Sequence, residues 1–89
     1  MSQENVDGLV PVEASVNSVF YTKPSPGEPP FVEVGDEVEE DTVVCLLEIM
    51  KCFRSVPAGV NGTVEQVLVK SGDLVQKGDA VMLIRPKNS

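Results

Sequence analysis

The sequence predicts an all-β fold, a flattened β-barrel or sandwich of two antiparallel sheets. Valine recurs in every part of the chain, whereas only four of the 89 residues are aromatic. Since β-branched side chains pack well on a pleated surface, this composition favours strands. Short apolar runs are separated by glycine-containing turn signals, and no segment repeats apolar residues at helical spacing for long enough to bury a helix. A chain of this length forms one small domain, near the lower limit for a core without metal or disulfides.

An internal repeat predicts that two halves of the fold are related by a pseudo-twofold axis. Residues 35–47 match residues 72–84: each segment opens with Gly-Asp, has a valine two positions after the aspartate and closes in an apolar run. Residues 18–20 precede the first copy as residues 62–64 precede the second. Chance produces a Gly-Asp pair easily, but it less easily produces the matched apolar spacing. We therefore expect two half-domains of short strands.

The individual elements follow from alternation and from the turns that bound them. The apolar runs predict strands over residues 12–16, 31–34, 43–47, 52–56, 62–69 and 80–85. Glycine and aspartate predict turns at 35–36, 59, 71–73 and 78–79. Residues 1–11 are expected to form a polar N-terminal tail, residues 12–86 the domain and residues 87–89 a C-terminal tail.

A proline-rich segment interrupts the first half. Four of the seven residues from Pro24 to Pro30 are proline, which predicts a stiff loop. The gap from Phe20 to Gly35 is longer than the matching gap from Val64 to Gly72. The first half therefore carries an insertion that the second half lacks.

The charge of the chain disfavours a polyanionic partner. The formal net charge is −7 and histidine is absent, whereas nucleic-acid binding needs clustered Lys and Arg. Six acidic residues fall within residues 33–41. This acidic segment is interpreted either as a solvated loop and strand edge or as a docking face for a partner enzyme.

The two cysteines are expected to be unpaired. If Met50 and Lys51 form a two-residue turn, Cys45 faces Val56 on the opposite strand, and Cys52 follows the turn. The sulfurs then lie about 10 Å or more apart along the ladder, too far for a disulfide. Free thiols, with no export leader and no long apolar run, predict a cytoplasmic protein without a membrane span.

Lys51 is the candidate functional residue. It follows the end of the first half at Leu47, where a pseudo-twofold sandwich should project a hairpin into water. Met50 and Lys51 suit a two-residue turn poorly, because such turns require positive φ and favour Asn-Gly or Gly-X. Strain that persists at an unsuited pair is more often functional than accidental. A lysine at this tip could be acylated and could carry its load to distant sites.

The residues around this lysine resemble a known attachment motif. Glu48-Ile49-Met50-Lys51-Cys52 is similar to the biotin-attachment motif of biotin carboxyl carrier domains, usually written E-A-M-K-M. From about residue 12 to residue 85 the chain resembles the biotinyl domain of bacterial acetyl-CoA carboxylase carrier subunits, in the biotin/lipoyl attachment domain family. The resemblance implies the biotinyl/lipoyl-type single hybrid fold, with biotin attached covalently to Lys51 and the four flanking motif residues read by biotin protein ligase.

A second segment, residues 19–36, resembles the insertion of this family called the thumb. By that resemblance, the thumb loop, residues 23–30, contacts biotin, and its candidate binding residues are Lys23, Pro24, Ser25, Pro26 and Gly27. Three residues in the attachment motif and the thumb loop depart from the family pattern. Ile49 replaces alanine, Cys52 replaces methionine, and Lys23 stands where a small hydroxyl residue is usual.

The resemblance also implies a role. The protein would be a non-catalytic carrier whose swinging arm takes carboxylate from biotin carboxylase to carboxyltransferase, as in an acetyl-CoA-type carboxylase of fatty acid biosynthesis. No nucleic acid, membrane or metal is implied, and the isolated domain is expected to be a monomer.

Two other functions fit the same fold. A lipoyl-type acyl carrier would have aspartate before the lysine and alanine after it, where this chain has Met50 and Cys52. An unmodified β-sandwich used for assembly would have no reason to keep an attachment motif at the hairpin tip. An enzyme is disfavoured, because no histidine, phosphate loop or metal-ligand spacing is present.

Overall fold

The computed structural model describes residues 8–87 and places them in eight strands. The strands are β1 (Val10–Glu13), β2 (Ser18–Tyr21), β3 (Glu37–Val38), β4 (Val43–Ile49), β5 (Cys52–Pro57), β6 (Gly62–Val67), β7 (Leu74–Val75) and β8 (Ala80–Pro86). They form two four-stranded sheets, ordered β1-β8-β6-β3 and β5-β4-β2-β7. Every strand pair is antiparallel. The predicted all-β fold of two antiparallel sheets is confirmed.

The core lies between the sheets and is mostly aliphatic, as the composition predicts. In β2, buried residues alternate with half-buried ones, which is the period of a strand with one face inward. The largest fully buried side chains are Phe20, Leu47, Met82, Ile84, Val44, Val64, Val81 and Cys45. Phe20 is the only aromatic residue in this set, so aliphatic packing supplies most of the buried apolar surface.

The pseudo-twofold repeat appears as a reciprocal exchange of backbone hydrogen bonds. The Gly35 amide of the first half donates to the Val64 carbonyl at 2.8 Å, and the Gly72 amide of the second half donates to the Phe20 carbonyl at 2.7 Å. Both glycines have positive φ, 98° and 95°, which only glycine adopts easily. Each half therefore completes a strand of the other half.

The Gly-Asp pairs that open the two copies of the repeat contain aspartates whose side chains close turns. The Asp36 carboxylate accepts a hydrogen bond from the Glu33 amide, and the Asp73 carboxylate accepts one from the Lys70 amide, each at 2.9 Å. These side chains close equivalent turns by replacing a backbone acceptor. The repeat thus fixes two turns and, through them, the register of β3 on β6 in one sheet and of β7 on β2 in the other.

The prediction of a strand over residues 31–34 is wrong. Asp36 draws the backbone of Glu33 into a turn through its carboxylate and through a 3.0 Å bond from its own amide. The amide of Phe31 bonds instead to the Thr22 carbonyl at 2.8 Å, which closes the proline-rich loop. Local turn contacts therefore use the backbone groups that a sheet would need.

The sequence prediction missed three strands, β2, β3 and β7, and misplaced a fourth, β1. β2 was noted only as part of the repeat, and the two-residue strands β3 and β7 follow the Gly-Asp turns too closely to show alternation. β1 begins at Val10, two residues before the predicted strand, so it overlaps the predicted tail of residues 1–11. Pro11 is accommodated because β1 is an edge strand. Residues 1–7 and 88–89 of the predicted tails lie outside the described residues.

Within residues 8–87, no helix has the length and hydropathy required to cross a membrane.

Candidate functional site

The hairpin between β4 and β5 is built as the sequence predicts. Ile49 pairs with Cys52 and Cys45 pairs with Val56, so Met50 and Lys51 form the two-residue turn. Both turn residues have positive φ, 51° for Met50 and 68° for Lys51. This is the type I′ geometry that matches the twist of the flanking strands. For residues with a β-carbon it costs roughly 1–2 kcal/mol each, so the expected backbone strain is present.

The turn presents its two side chains to solvent. Met50 is 90% exposed, and Lys51 is exposed as well. Among the described residues the only salt bridge joins Arg85 and Glu65, so the Lys51 amine is not held by a carboxylate. The amine is therefore accessible to another protein.

The other residues of the attachment motif flank this tip and differ in their burial. Ile49 and Glu48 are half-buried on β4, whereas Cys52 is exposed at the start of β5. Cys52 and the buried Cys45 are both free thiols. The predicted hairpin register, which keeps the two sulfurs apart, is confirmed. Burial raises the pKa of Cys45 to about 12.

Glu48 is anchored by a tyrosine on the neighbouring strand. The Tyr21 hydroxyl of β2 donates a 3.0 Å hydrogen bond to Glu48 Oε1. Glu48 also faces Phe53 across the β4–β5 ladder. The Tyr21 and Phe53 rings lie 6.0 Å apart at 57°, a tilted contact over the same sheet face. The hydrogen bond to Glu48 raises the pKa of Tyr21, since the phenolate would face a carboxylate.

The thumb loop, residues 23–30, is fixed at its base by Thr22. The Thr22 carbonyl accepts from the Phe31 amide at 2.8 Å, so the loop begins and ends at one point. Ser71, in the turn before β7, bonds to Thr22 twice: its Oγ accepts from the Thr22 amide and lies 2.8 Å from Thr22 Oγ1. Within the loop, the Glu28 amide donates to the Ser25 carbonyl at 3.1 Å. A proline-rich loop tied at its base is thereby held against the sheet.

A groove of about 540 Å³ lies between the thumb loop and the hairpin strand β5. We call it the thumb groove, and it is lined by Tyr21, Lys23, Pro24, Ser25, Pro26, Phe53, Ser71 and Gly72. Four of the five candidate thumb residues line it, and Gly27 does not. The floor is apolar, because two aromatic rings and two prolines contribute to it.

Four groove residues were not predicted as site residues from the sequence: Tyr21, Phe53, Ser71 and Gly72. Phe53 could have been found from the hairpin register, since a residue that faces Glu48 must share its sheet face. Ser71 had no such signal, because its contact with Thr22 crosses 49 positions of sequence.

A second cavity of about 730 Å³ lies on the acidic segment. It is lined by residues 37–42, by residues 61–63 and by Arg85, Pro86 and Lys87. The carboxylates of this segment are exposed, which fits a solvated surface and leaves a docking face untested. No group of three His, Cys, Asp or Glu side chains within residues 8–87 could hold a metal ion.

The chain was compared with known protein families and with proteins of known name. A family model described as biotin-requiring enzyme matches residues 10–84. Biotin carboxyl carrier protein of acetyl-CoA carboxylase from Chlamydia trachomatis is 49% identical over 65 residues, covering 73% of this chain and 40% of the relative. The chloroplastic carrier protein 2 of acetyl-CoA carboxylase from Arabidopsis thaliana is 37% identical over 76 residues, covering 85% and 30%.

Solved structures show the same fold. The urea carboxylase of Kluyveromyces lactis matches with a TM-score of 0.73 and 31% identity, covering 94% of this chain and 7% of that chain. A single-chain, multi-domain long-chain acyl-CoA carboxylase matches with a TM-score of 0.76 over 92% of this chain and 7% of that one. At 18% identity the second likeness concerns the fold alone. The chain spans about two fifths of the length of the Chlamydia relative.

Proposed function

Because the chain belongs to the biotin-requiring enzyme family, we propose that Lys51 carries covalent biotin and that the domain is a carboxylate carrier. The observation that carries this proposal is the Lys51 amine, exposed at the tip of a strained two-residue turn between Glu48 and Cys52. Attachment joins the biotin carboxyl group to this amine as an amide, with net loss of water driven by the ATP that the ligase uses. When bound, biotin supplies a ring nitrogen that accepts and releases carboxylate.

The residues around Lys51 fit such a group. The amine has no carboxylate partner among the described residues, so acylation breaks no ion pair. The thumb groove offers a volume of about 540 Å³ with aromatic and proline walls, which suits a small, largely apolar ring. Phe53, on β5 and two residues after Lys51 in the chain, lines this groove.

Each flanking residue has a proposed part in attachment. Met50, 90% exposed beside the amine, offers a biotin protein ligase an apolar contact that no other side chain at the tip supplies. Glu48 is held in one orientation by Tyr21, which preorganises the carboxylate for the ligase. Ile49 and Cys52, paired across the ladder, fix the turn that lifts the amine.

The proposed partners are biotin protein ligase, biotin carboxylase and a carboxyltransferase. The chain itself performs no catalytic step in this proposal: it moves the loaded arm between the partners' active sites. A flexible tether raises the local concentration of the reactive ring at each site that it reaches. The names of the Chlamydia and Arabidopsis relatives support an acetyl-CoA-type carboxylase. We propose a monomeric domain in the cytoplasm, where its two free thiols would stay reduced.

The experiment is an intact-mass measurement after incubation with biotin, ATP and a biotin protein ligase. We expect one biotinyl group, located on Lys51 by peptide sequencing and abolished in Lys51→Arg. Lys70→Arg, which replaces another exposed lysine, should be modified as fully as the unaltered protein. A lipoyl or octanoyl mass in protein from cells would assign the chain to acyl transfer. An unmodified chain would contradict the carrier function and favour an assembly module.

A further inference from the structure

Lys23 lines the thumb groove. An arm attached at Lys51 is long enough to reach this groove. Phe53 of the groove follows Lys51 by two residues, so their Cα atoms are at most about 7 Å apart. A lysine side chain extended by a five-carbon acyl chain spans roughly ten bonds, on the order of 12 Å when extended. The ring at the end of that arm can therefore fold back into the groove.

Lys23 is the only cationic side chain among the residues that line the groove. It makes no ion pair within residues 8–87. The other polar groups are already engaged: the Tyr21 hydroxyl donates to Glu48, and Ser71 Oγ bonds to Thr22. Among the side chains that line the groove, this leaves the Lys23 ammonium and the Ser25 hydroxyl to meet an occupant. An apolar floor with one available ammonium group is complementary to a ring that bears a negative charge.

The backbone on both sides of Lys23 restrains the position of its side chain. Pro24 follows Lys23 directly and disfavours the helical region for its backbone. Thr22, which precedes Lys23, is tied to Ser71 by two hydrogen bonds. The stem of Lys23 thus projects from a fixed point at the rim of the groove.

We propose that Lys23 makes the thumb groove selective for the carboxylate cargo, so that the arm docks more when it is loaded than when it is empty. This inference rests on the proposed biotin carrier function. The empty ring is neutral and gains only apolar contact and hydrogen bonds in the groove. The cargo adds a negative charge, which the Lys23 ammonium attracts. A ligand shifts an equilibrium only by its differential affinity for the two states. The ion pair between Lys23 and the carboxylate therefore sets the difference in docking between the loaded and the empty arm.

The size of the effect follows from the exposure of Lys23. Because an exposed ion pair contributes little in water, the ratio of docked to undocked arm should rise about two- to fivefold on loading. Salt should suppress most of this rise, because a Debye length of about 3 Å at 1 M screens the pair. A change of this size favours the docked position of the loaded arm between partners. It is also small enough for a partner protein to withdraw the arm.

The test uses the ¹⁵N-labelled, biotinylated protein and follows the amide signals of Ser25, Gly27 and Gly72. Intact mass first establishes that biotin is present. Catalytic biotin carboxylase, ATP and ¹³C-bicarbonate then load the arm, and the ¹³C signal of the bound cargo verifies loading. Spectra of the loaded and empty forms are compared for the unaltered protein, for Lys23→Met and for the control Lys77→Met. Lys77 is also exposed but does not line the groove.

We expect loading to shift the three signals in the unaltered protein and in Lys77→Met. The shift should fall to half or less in Lys23→Met and at high salt. Equal shifts in Lys23→Met and the unaltered protein would overturn the inference, as would no shift on verified loading. Absence of biotin by mass would instead overturn the proposed function, and the inference with it.

Discussion

The Tyr21 hydroxyl donates a hydrogen bond to Glu48 Oε1 at 3.0 Å, and Glu48 lies three residues before Lys51. The bond crosses from β2 to β4, so the strand that leads into the thumb loop is connected to the strand that leads into the hairpin. The two segments that the sequence singled out independently are therefore parts of one surface.

This contact should be measurable by titration, because Tyr21 is the only tyrosine in the chain. We expect the phenol absorbance to titrate with a midpoint above 10.0, since the hydrogen bond to Glu48 raises the pKa of Tyr21. In Glu48→Gln the midpoint should fall towards 10.0. Glu65→Gln, remote in sequence and paired with Arg85, serves as the control. A midpoint unchanged in Glu48→Gln would show that the contact does not exist in solution.

The buried thiol of Cys45 predicts a loss of stability in alkali. Its pKa is raised from 9.0 to about 12 by burial. Above pH 9 the unfolded chain therefore loses this proton first, so the contribution to stability is present below pH 9 and declines as the pH rises towards 12. Urea unfolding at pH 8 and pH 10.5 measures the decline. Cys45→Val, which cannot titrate, should lose less stability between the two pH values than the unaltered protein.

Thiol labelling provides an independent check on Cys45. At pH 8 a water-soluble disulfide reagent should label one thiol per native molecule, because Cys52 is exposed and Cys45 is buried. Cys52→Ser should label only after unfolding in urea. Rapid labelling of two thiols in the native protein would contradict the buried position of Cys45.

Removing the Ser71 hydroxyl should loosen the base of the thumb loop. Ser71→Ala loses both contacts with Thr22, and each hydrogen bond contributes about 0.5–1.5 kcal/mol. We expect a comparable loss in the free energy of unfolding and faster hydrogen exchange at the Phe31 amide. Ser15→Ala, at an exposed serine, should change neither quantity. Unchanged exchange at Phe31 in Ser71→Ala would refute the role of Ser71.

Relieving the backbone strain at the hairpin tip should stabilise the domain and should slow its biotinylation. Asparagine tolerates positive φ better than methionine does. Met50→Asn should therefore raise the free energy of unfolding by about 0.5–1 kcal/mol, part of the 1–2 kcal/mol cost of this geometry. The rate of biotinylation by the ligase should fall, because the exposed methionine is lost. Val34→Asn, another exposed apolar position in a turn without positive φ, should show neither effect.

Gly62 is required for close packing rather than for an unusual φ. A β-carbon at this position would collide with the carbonyl oxygen of Arg85 on the neighbouring strand β8. Gly62→Ala should lower the free energy of unfolding by about 1–3 kcal/mol, the usual cost of overpacking. Gly27→Ala meets open space and should be close to neutral. Urea midpoints for the two variants test the contrast, and equal midpoints would contradict it.

The sequence predicted the fold class, the repeat and the hairpin because these depend on local patterns. Gly-Asp pairs, valine spacing and the two residues between apolar runs are all visible within a short window. It placed a strand over residues 31–34 because Phe31 and Val32 look like strand residues, although Asp36 closes a turn there.

The site was predicted only in part for the same reason. Lys51 and the thumb residues belong to contiguous motifs, so they could be found. The groove arises where Phe53 and Ser71 approach the thumb loop from two distant segments. Such a juxtaposition depends on the tertiary arrangement of the sheets, which no short pattern specifies.

The reciprocal bonds between Gly35 and Val64 and between Gly72 and Phe20 also govern how the chain must fold. Neither half can complete its strands by itself, so we expect a fragment of one half to have no stable native structure. Both turns must meet partners far away in sequence before either is secured, and loop closure of that kind is slow. Folding should therefore be a single all-or-none event, slower than in a helical chain of equal length.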